Sequence, residues 1–246
     1  SCIFCISKKM ENLSKQKQIK PLFKYIGGKT WLRELLRQKI EFTTSKRNFN
    51  TYCEPFAGGL GSFLAVYDVL LDKGIKKVLL SDINETLIYT YNAIKDEPLE
   101  LIEEFINIEK GFVNLISEDL YKTKDKEEIK KLLVNAKDYF NKIKSEFNLN
   151  KNTVSLRQSA RLIFLQKHSF NGVYRENSKG EYNTPFNWSG ANMLSSIKEK
   201  VLELNSIFNS FDITFDVSSF ADIKYDLDTL YYLDPPYLNE NISENN

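Results

Sequence analysis

Four residues near the carboxyl end of this 246-residue chain combine chemistry that is rarely adjacent. Asp234-Pro235-Pro236-Tyr237 sets a carboxylate and an aromatic ring on either side of two residues that cannot donate a backbone hydrogen bond. The run before them, Leu230-Tyr231-Tyr232-Leu233, is apolar and rich in β-formers. A strand that empties into this sequence must stop there, because neither proline can continue a ladder. It delivers the Asp234 carboxylate and the Tyr237 ring to the carboxyl edge of a sheet. On these residues alone, a strand-ending turn with a capping aspartate is the competing reading.

Two earlier segments and one aspartate carry related information. Glu54-Pro55-Phe56-Ala57-Gly58-Gly59-Leu60-Gly61-Ser62 puts Gly58, Gly59 and Gly61 between an expected strand and an expected helix. Glycine lets backbone approach a ligand closely, and the crevice at the strand ends of an open α/β sheet is the usual ligand site. Asp82 ends the next expected strand. A carboxylate there can accept two hydrogen bonds from ribose hydroxyls, or it can cap the helix opened by Asp82-Ile83-Asn84-Glu85. Lys24-Tyr25-Ile26-Gly27-Gly28-Lys29 places two glycines between lysines. That is a backbone turn beside a charged ligand or a turn in solvent.

Taken in this order, the three segments resemble the Dam-type (D12 class) DNA adenine-N6 methyltransferases, from about Lys20 to Tyr237. The resemblance implies S-adenosylmethionine as cofactor, held by Tyr25, Gly28, Lys29, Phe56, Gly58, Gly59, Gly61, Asp82 and Asp234. Tyr25 would pack on the cofactor's adenine and Asp82 would bind its ribose, which leaves Asn84 as the helix cap. Where the family pattern reads Phe-x-Gly-x-Gly, this chain has Leu60 at the second glycine, flanked by Gly59 and Gly61. Asp234, Pro235, Pro236 and Tyr237 would form the catalytic motif. An exocyclic base amine is a poor nucleophile because its lone pair is delocalised into the ring. Asp234 and the Pro235 carbonyl can accept its two N–H bonds and free that lone pair, while Tyr237 stacks on a base flipped out of the duplex. The sulfonium is an activated donor, so no metal is expected. The same motif can serve cytosine N4; Asp at its first position together with the Lys24 segment favours adenine.

A further stretch carries the resemblance into DNA recognition: Phe170-Asn171-Gly172-Val173-Tyr174-Arg175, then Gly180-Glu181-Tyr182-Asn183-Thr184-Pro185-Phe186. By position in the family, Phe170 would wedge into the base stack and Asn171 would fill the vacated space. Arg175 can pair with guanine O6 and N7, with a surface salt bridge as its alternative. Val173 and Pro185 would touch a thymine methyl, and Lys24 a further guanine. This set matches enzymes acting on GATC. Double-stranded DNA is therefore the expected partner, and a restriction endonuclease acting on the same site is compatible with the resemblance.

Composition narrows the setting. A chain of this length holds one α/β domain with an insertion, or two small domains. No apolar stretch approaches the ~18 residues that span a membrane, and Cys2-Ile3-Phe4-Cys5-Ile6 is too short for a signal-peptide core, so a cytoplasmic location is expected. Net charge is +1, which does not announce a nucleic-acid binder unless its basic residues share a face. Cys2-x-x-Cys5 with a single histidine, His168, cannot make a four-ligand zinc site. His168 ends an amphipathic helix and reads as a C-terminal contact rather than a catalytic group.

Elements to position these residues follow from periodicity. Residues 1–19 read as a loose polar tail. Helices are expected over 31–40 (with Leu32, Leu35, Leu36 and Ile40 on one face), 62–71 and 84–94, and strands over 50–56, 77–80, 213–217 and 229–233. The fold class is α/β, a Rossmann-like methyltransferase sheet over 20–97 and 212–246. A mainly helical target-recognition insertion over 98–211 interrupts it. The charge of 118–144 reads as a solvated helix face. No strand is readable after Tyr237, so the sheet is expected to be incomplete on one side and the chain truncated and catalytically incomplete.

Overall fold

Two apolar runs in the first third of the chain become parallel strands, each followed by a helix. Residues 19–24, 32–188 and 194–235 are described by the computed structural model. Thr51–Glu54 forms β1 and Lys77–Asp82 forms β2. Helix α1 (Arg33–Lys46) precedes β1, α2 (Gly61–Asp72) joins β1 to β2, and α3 (Glu85–Asp96) follows β2. All four residues of β1 are buried, as a parallel strand covered on both faces requires. Helix α2 covers one face through Phe63, Leu64, Val66 and Leu70.

The next helices are α4 (Pro98–Val113), α5 (Lys126–Leu132), α6 (Val134–Leu149), α7 (Leu156–Lys167) and α8 (Leu194–Phe208). Their shared interior is aromatic. Phe112 meets Phe164 at 5.4 Å between ring centres, and Phe140 meets Phe186 at 5.4 Å. Each such pair adds about 0.5–1.5 kcal/mol beyond its buried area. Helix α8 sets Phe208 edge-to-face at 4.8 Å against Phe215 of the strand that follows it, β3 (Asp212–Val217). The last element, β4, is Thr229–Tyr231.

The four strands run parallel in the order β3-β2-β1-β4. The chain builds outward from β1 to β2 to β3, then returns to lie on the other side of β1, where Cys53 pairs with Tyr231. The direction of winding therefore reverses between β1 and β4. In open α/β sheets that reversal opens a crevice at the carboxyl ends of the two strands.

On α1 the expected apolar face is only partly realised. Ile40 is buried, but Leu35 is exposed and Arg37 is buried in its stead. The Arg37 guanidinium donates to both Asp68 oxygens, at 2.5 and 2.9 Å, and to the Ala65 carbonyl at 2.9 Å. A bidentate partner on α2 offsets the desolvation that would otherwise keep arginine outside.

Candidate active site

β1 and β4 end side by side; β1 ends in a carboxylate, and another follows β4 a few residues on. Glu54 closes β1 and is 1 % exposed. The Tyr52 hydroxyl donates to its Oε2 at 2.9 Å. Burial raises the Glu54 carboxyl from 4.5 to about 8, against the opposing effect of hydrogen bonds from Tyr52, Ser62 and the Phe63 backbone. The charge of half-buried Asp234, just beyond β4, pushes in the same direction as burial. Pro235 follows it, exposed. Pro236 and Tyr237 lie outside the described residues, as do Tyr25, Gly28, Lys29 and Cys2-x-x-Cys5.

The glycine turn crosses from β1 to β2 through backbone contacts. Gly58 has φ of 45°, the left-handed region that glycine favours. Its N–H donates to Asp82 Oδ2 at 2.9 Å, and the Tyr91 hydroxyl donates to its carbonyl at 2.6 Å. Leu60, at the family's second glycine, also adopts a left-handed backbone, with φ of 64°. Its side chain is 1 % exposed, so burial holds a conformation that leucine disfavours. Gly61 starts α2 with open space where a Cβ would sit.

Asp82 does not cap α3. Asn84 does, accepting from Leu87 N at 3.0 Å. Asp82 instead accepts from Asn84 N at 3.0 Å through Oδ1 and from Gly58 N through Oδ2. Each oxygen keeps a second lone pair, so two ribose hydroxyls remain within its chemical capacity. Beside it the strand ends expose apolar surface. Ile83 is 80 % exposed, and Phe220, in the turn after β3, packs on Phe56 at 5.2 Å. Residues of this kind suit the faces of a purine. Neither Ile83 nor Phe220 stood out in the sequence, because an exposed apolar residue signals nothing until its neighbours are known.

The segment 169–186 folds back on itself as an irregular hairpin. Ser169 bridges Phe186, Glu176 bridges Tyr182, and Phe170 N donates to the Pro185 carbonyl at 2.9 Å. Beside the bridge to Phe186 it presents Phe170, 55 % exposed, and Asn171, which has φ of 58°. Gly172 follows with φ of 63°; a Cβ there would meet the Gln166 carbonyl at 3.1 Å, so only glycine fits without displacement. Arg175 and Pro185 are exposed and Val173 is half-buried. Arg175 makes no ion pair with a described residue. Lys24, nearly 150 positions earlier, bridges Val173 in parallel and accepts from Tyr174 N at 3.4 Å through its carbonyl. The fold thus gathers Lys24, Phe170, Asn171, Val173, Arg175 and Pro185 into one neighbourhood.

His168 sits at the root of this hairpin. It follows α7, where its N–H donates to the Phe164 carbonyl. Its Nε2 also meets the buried Glu109 carboxylate at 2.9 Å, with the ring 4.2 Å from Phe112. No group of metal-ligating side chains stands among the described residues.

A family model for D12 class N6 adenine-specific DNA methyltransferases matches residues 25–245. The chain belongs to this family. Among its relatives, the type II methyltransferase M.MjaIII of Methanocaldococcus jannaschii is 31 % identical over 222 residues, 89 % of this chain and 70 % of the relative. The type II methyltransferase M1.LlaDCHI of Lactococcus lactis is 26 % identical over 237 residues, 93 % of this chain and 70 % of the relative. The DNA adenine methylase of Haemophilus influenzae is 26 % identical over 234 residues, 93 % of this chain and 68 % of the relative. The parallel four-stranded sheet and its covering helices are consistent with the α/β fold of such a methyltransferase. None of the described helices is long and apolar enough to cross a membrane.

Proposed function

We propose that the chain transfers a methyl group from S-adenosylmethionine to N6 of an adenine extruded from double-stranded DNA, with GATC as its site. The observation that carries this reading is the reversal of winding between β1 and β4. It would set Asp234, just past β4, at the carboxyl-end edge where β1 leads into the Gly58 turn and β2 ends in Asp82. The turn and carboxylate suit the cofactor on an independent ground. Gly58 has the backbone that admits close approach, and both Asp82 oxygens retain acceptor capacity. Phe56, Gly58, Gly59, Gly61, Asp82 and Asp234 would hold the cofactor, with Tyr25, Gly28 and Lys29 contributed by the segment after Lys24. When bound, it supplies an already activated methyl group.

The chain's own residues then orient the nucleophile. Asp234 accepts one N–H of the target amine and the Pro235 carbonyl accepts the other, so the nitrogen lone pair leaves conjugation and points away from both acceptors. Tyr237 stacks on the base. The amine is out of reach inside a duplex, so the base must leave the stack. Phe170 and Asn171 occupy the gap, while Arg175 and Lys24 read guanines and Val173 and Pro185 meet a thymine methyl. Restriction endonucleases that share such a site are the natural counterparts of relatives named type II methyltransferases.

Incubation with S-adenosylmethionine and GATC-containing duplex, followed by digestion to nucleosides and mass analysis, tests the reaction. N6-methyladenine is expected. N4-methylcytosine would move the chain to a different amine, and no modified base would overturn the reading.

A further inference from the structure

One buried carboxyl at the switch point has no part in the chemistry proposed above. Glu54 is the last residue of β1, directly before the turn that holds Phe56 and Gly58, and is 1 % exposed. Its Oε2 accepts from the Tyr52 hydroxyl at 2.9 Å. On the β2 side it pairs with Leu80. On the β4 side the Cys53 carbonyl accepts from Tyr232 N at 2.9 Å, and Asp234 follows two residues past Tyr232. No Lys, Arg or His among the described residues forms an ion pair with Glu54.

A carboxylate enclosed without a cation takes up a proton rather than stay charged. Glu54 is therefore neutral in the free chain near pH 7, in keeping with the rise of its carboxyl to about 8 through burial. Each element around it leaves that proton in place. On its own strand, burial raises Tyr52 well above its ordinary value and Cys53 to about 11, so both stay protonated. β2 brings apolar Leu80, and α2 brings the neutral donors Ser62 and Phe63 N–H. The chain past β4 brings the like charge of Asp234.

S-adenosylmethionine carries a sulfonium charge. S-adenosylhomocysteine, which remains after the methyl has gone, has a neutral thioether in nearly the same shape. A positive charge brought to the carboxyl end of β1 favours the ionised form of a carboxyl there. We infer that Glu54 is a specificity-determining residue: neutral in the free chain, it ionises as the sulfonium arrives and so favours the methyl-bearing cofactor over the thioether product. Its proton passes to solvent on binding and returns to the carboxyl once the sulfonium has become a thioether. The inference rests on the proposed function. Its sign is fixed by linkage: the extra preference is absent at low pH, where Glu54 is neutral throughout, and grows as pH rises.

The test is titration calorimetry with each of the two ligands, without DNA, in buffers of different ionisation enthalpy, which count the protons exchanged. Near pH 7.5 wild-type chain should release about half a proton more with S-adenosylmethionine than with S-adenosylhomocysteine. Its preference for S-adenosylmethionine should rise about tenfold from pH 6 to pH 9, the result of a one-unit fall in the pKa of the carboxyl. Glu54→Gln keeps the shape and cannot ionise, so it reports only the titration of the ligands' own amino groups; both effects should vanish against that background. Tyr52→Phe removes a donor that favours the ionised carboxyl, so its proton release should persist but peak at higher pH. Thermal melts show that each variant is folded, and if Glu54→Gln is not, the displaced peak in Tyr52→Phe decides. Equal proton release in wild type and folded Glu54→Gln, or an unmoved peak in Tyr52→Phe, overturns the inference while leaving the proposed function standing. No binding of either ligand by wild-type chain removes both.

Discussion

Because burial holds the Glu54 carboxyl at about 8 against an ordinary 4.5, the folded chain keeps a proton at neutral pH that the unfolded chain has released. Between those two values the native state binds more protons than the unfolded state. Stability attributable to this group is therefore full below pH 4.5, falls as pH rises, and levels off above 8. The slope approaches about 1.4 kcal/mol per pH unit at most. Denaturant melts of wild type and Glu54→Gln across pH 5–8 should show the decline in the first and its absence in the second. Leu60 poses a different balance. Glycine there would relieve about 1–2 kcal/mol of left-handed strain but forfeit a buried side chain worth about 2–5 kcal/mol. Leu60→Gly should therefore destabilise, by about 2 kcal/mol in an unfolding titration. Asp234, Asp82 and the glycine turn were legible because their types and order are informative within a few neighbours. Glu54 was in plain view in the same motif, yet its protonation depends on its burial first and then on the charge of Asp234, against the hydrogen bonds from Tyr52 and Ser62, which no local pattern encodes.

At the scale of elements, the strands and helices of the sheet were readable to within a few residues, since each buries a short apolar run flanked by Gly, Asp or Asn. The expected strand over 229–233 ends at Tyr231, and the expected helix over 31–40 extends to Lys46. What periodicity missed was the buried Arg37, whose partner Asp68 lies on another helix. The hairpin over 169–186 was legible only by resemblance, because its pairing is a set of isolated bridges rather than alternating strands. Its readout is testable at Arg175. Arg175→Ala should relax discrimination at one guanine at a cost of about 1–3 kcal/mol in competition binding; equal weakening on all sequences would make it a phosphate contact. The root of the hairpin is tested by Glu109→Ala. Removing Glu109 leaves the buried His168 ring nitrogen without its hydrogen-bond partner, which costs about 1–3 kcal/mol, so a fall in melting temperature is expected. His168 was readable as a helix-end residue, but its partner 59 positions away was not.

For the molecule as a whole, a net charge of +1 leaves local clustering to attract DNA. The Lys167 ammonium is lowered from its ordinary value by burial first and then by the charges of Lys24 and Lys200, so these lysines are near enough to act on one another. DNA affinity should accordingly fall as salt rises, with a log–log slope near −0.9 for each phosphate neutralised; a flat salt response would contradict this. Occupancy of the crevice should also stabilise the fold globally. At about 100 times its dissociation constant a ligand adds about 2.7 kcal/mol, so S-adenosylhomocysteine should raise the melting temperature of wild type, and Asp82→Ala should abolish the rise.

The return of β4 to the far side of β1 has a consequence in time. β1 and β2 are joined by a single helix and can pair early, whereas Thr229 trails Glu54 by most of the chain. At about 5–20 residues per second of synthesis, β1 leaves the ribosome many seconds before the strand that completes its second edge. During that interval the edge of β1 that later pairs with β4, the backbone N–H and C=O groups over Thr51 to Cys53, has no ladder partner. An unpaired edge of this kind is where a foreign strand can dock. Protection of the β1 amides in pulse-labelled exchange should therefore arise in two steps, first on the β2 side and later when β4 arrives. Refolding yield should drop with concentration most steeply between them.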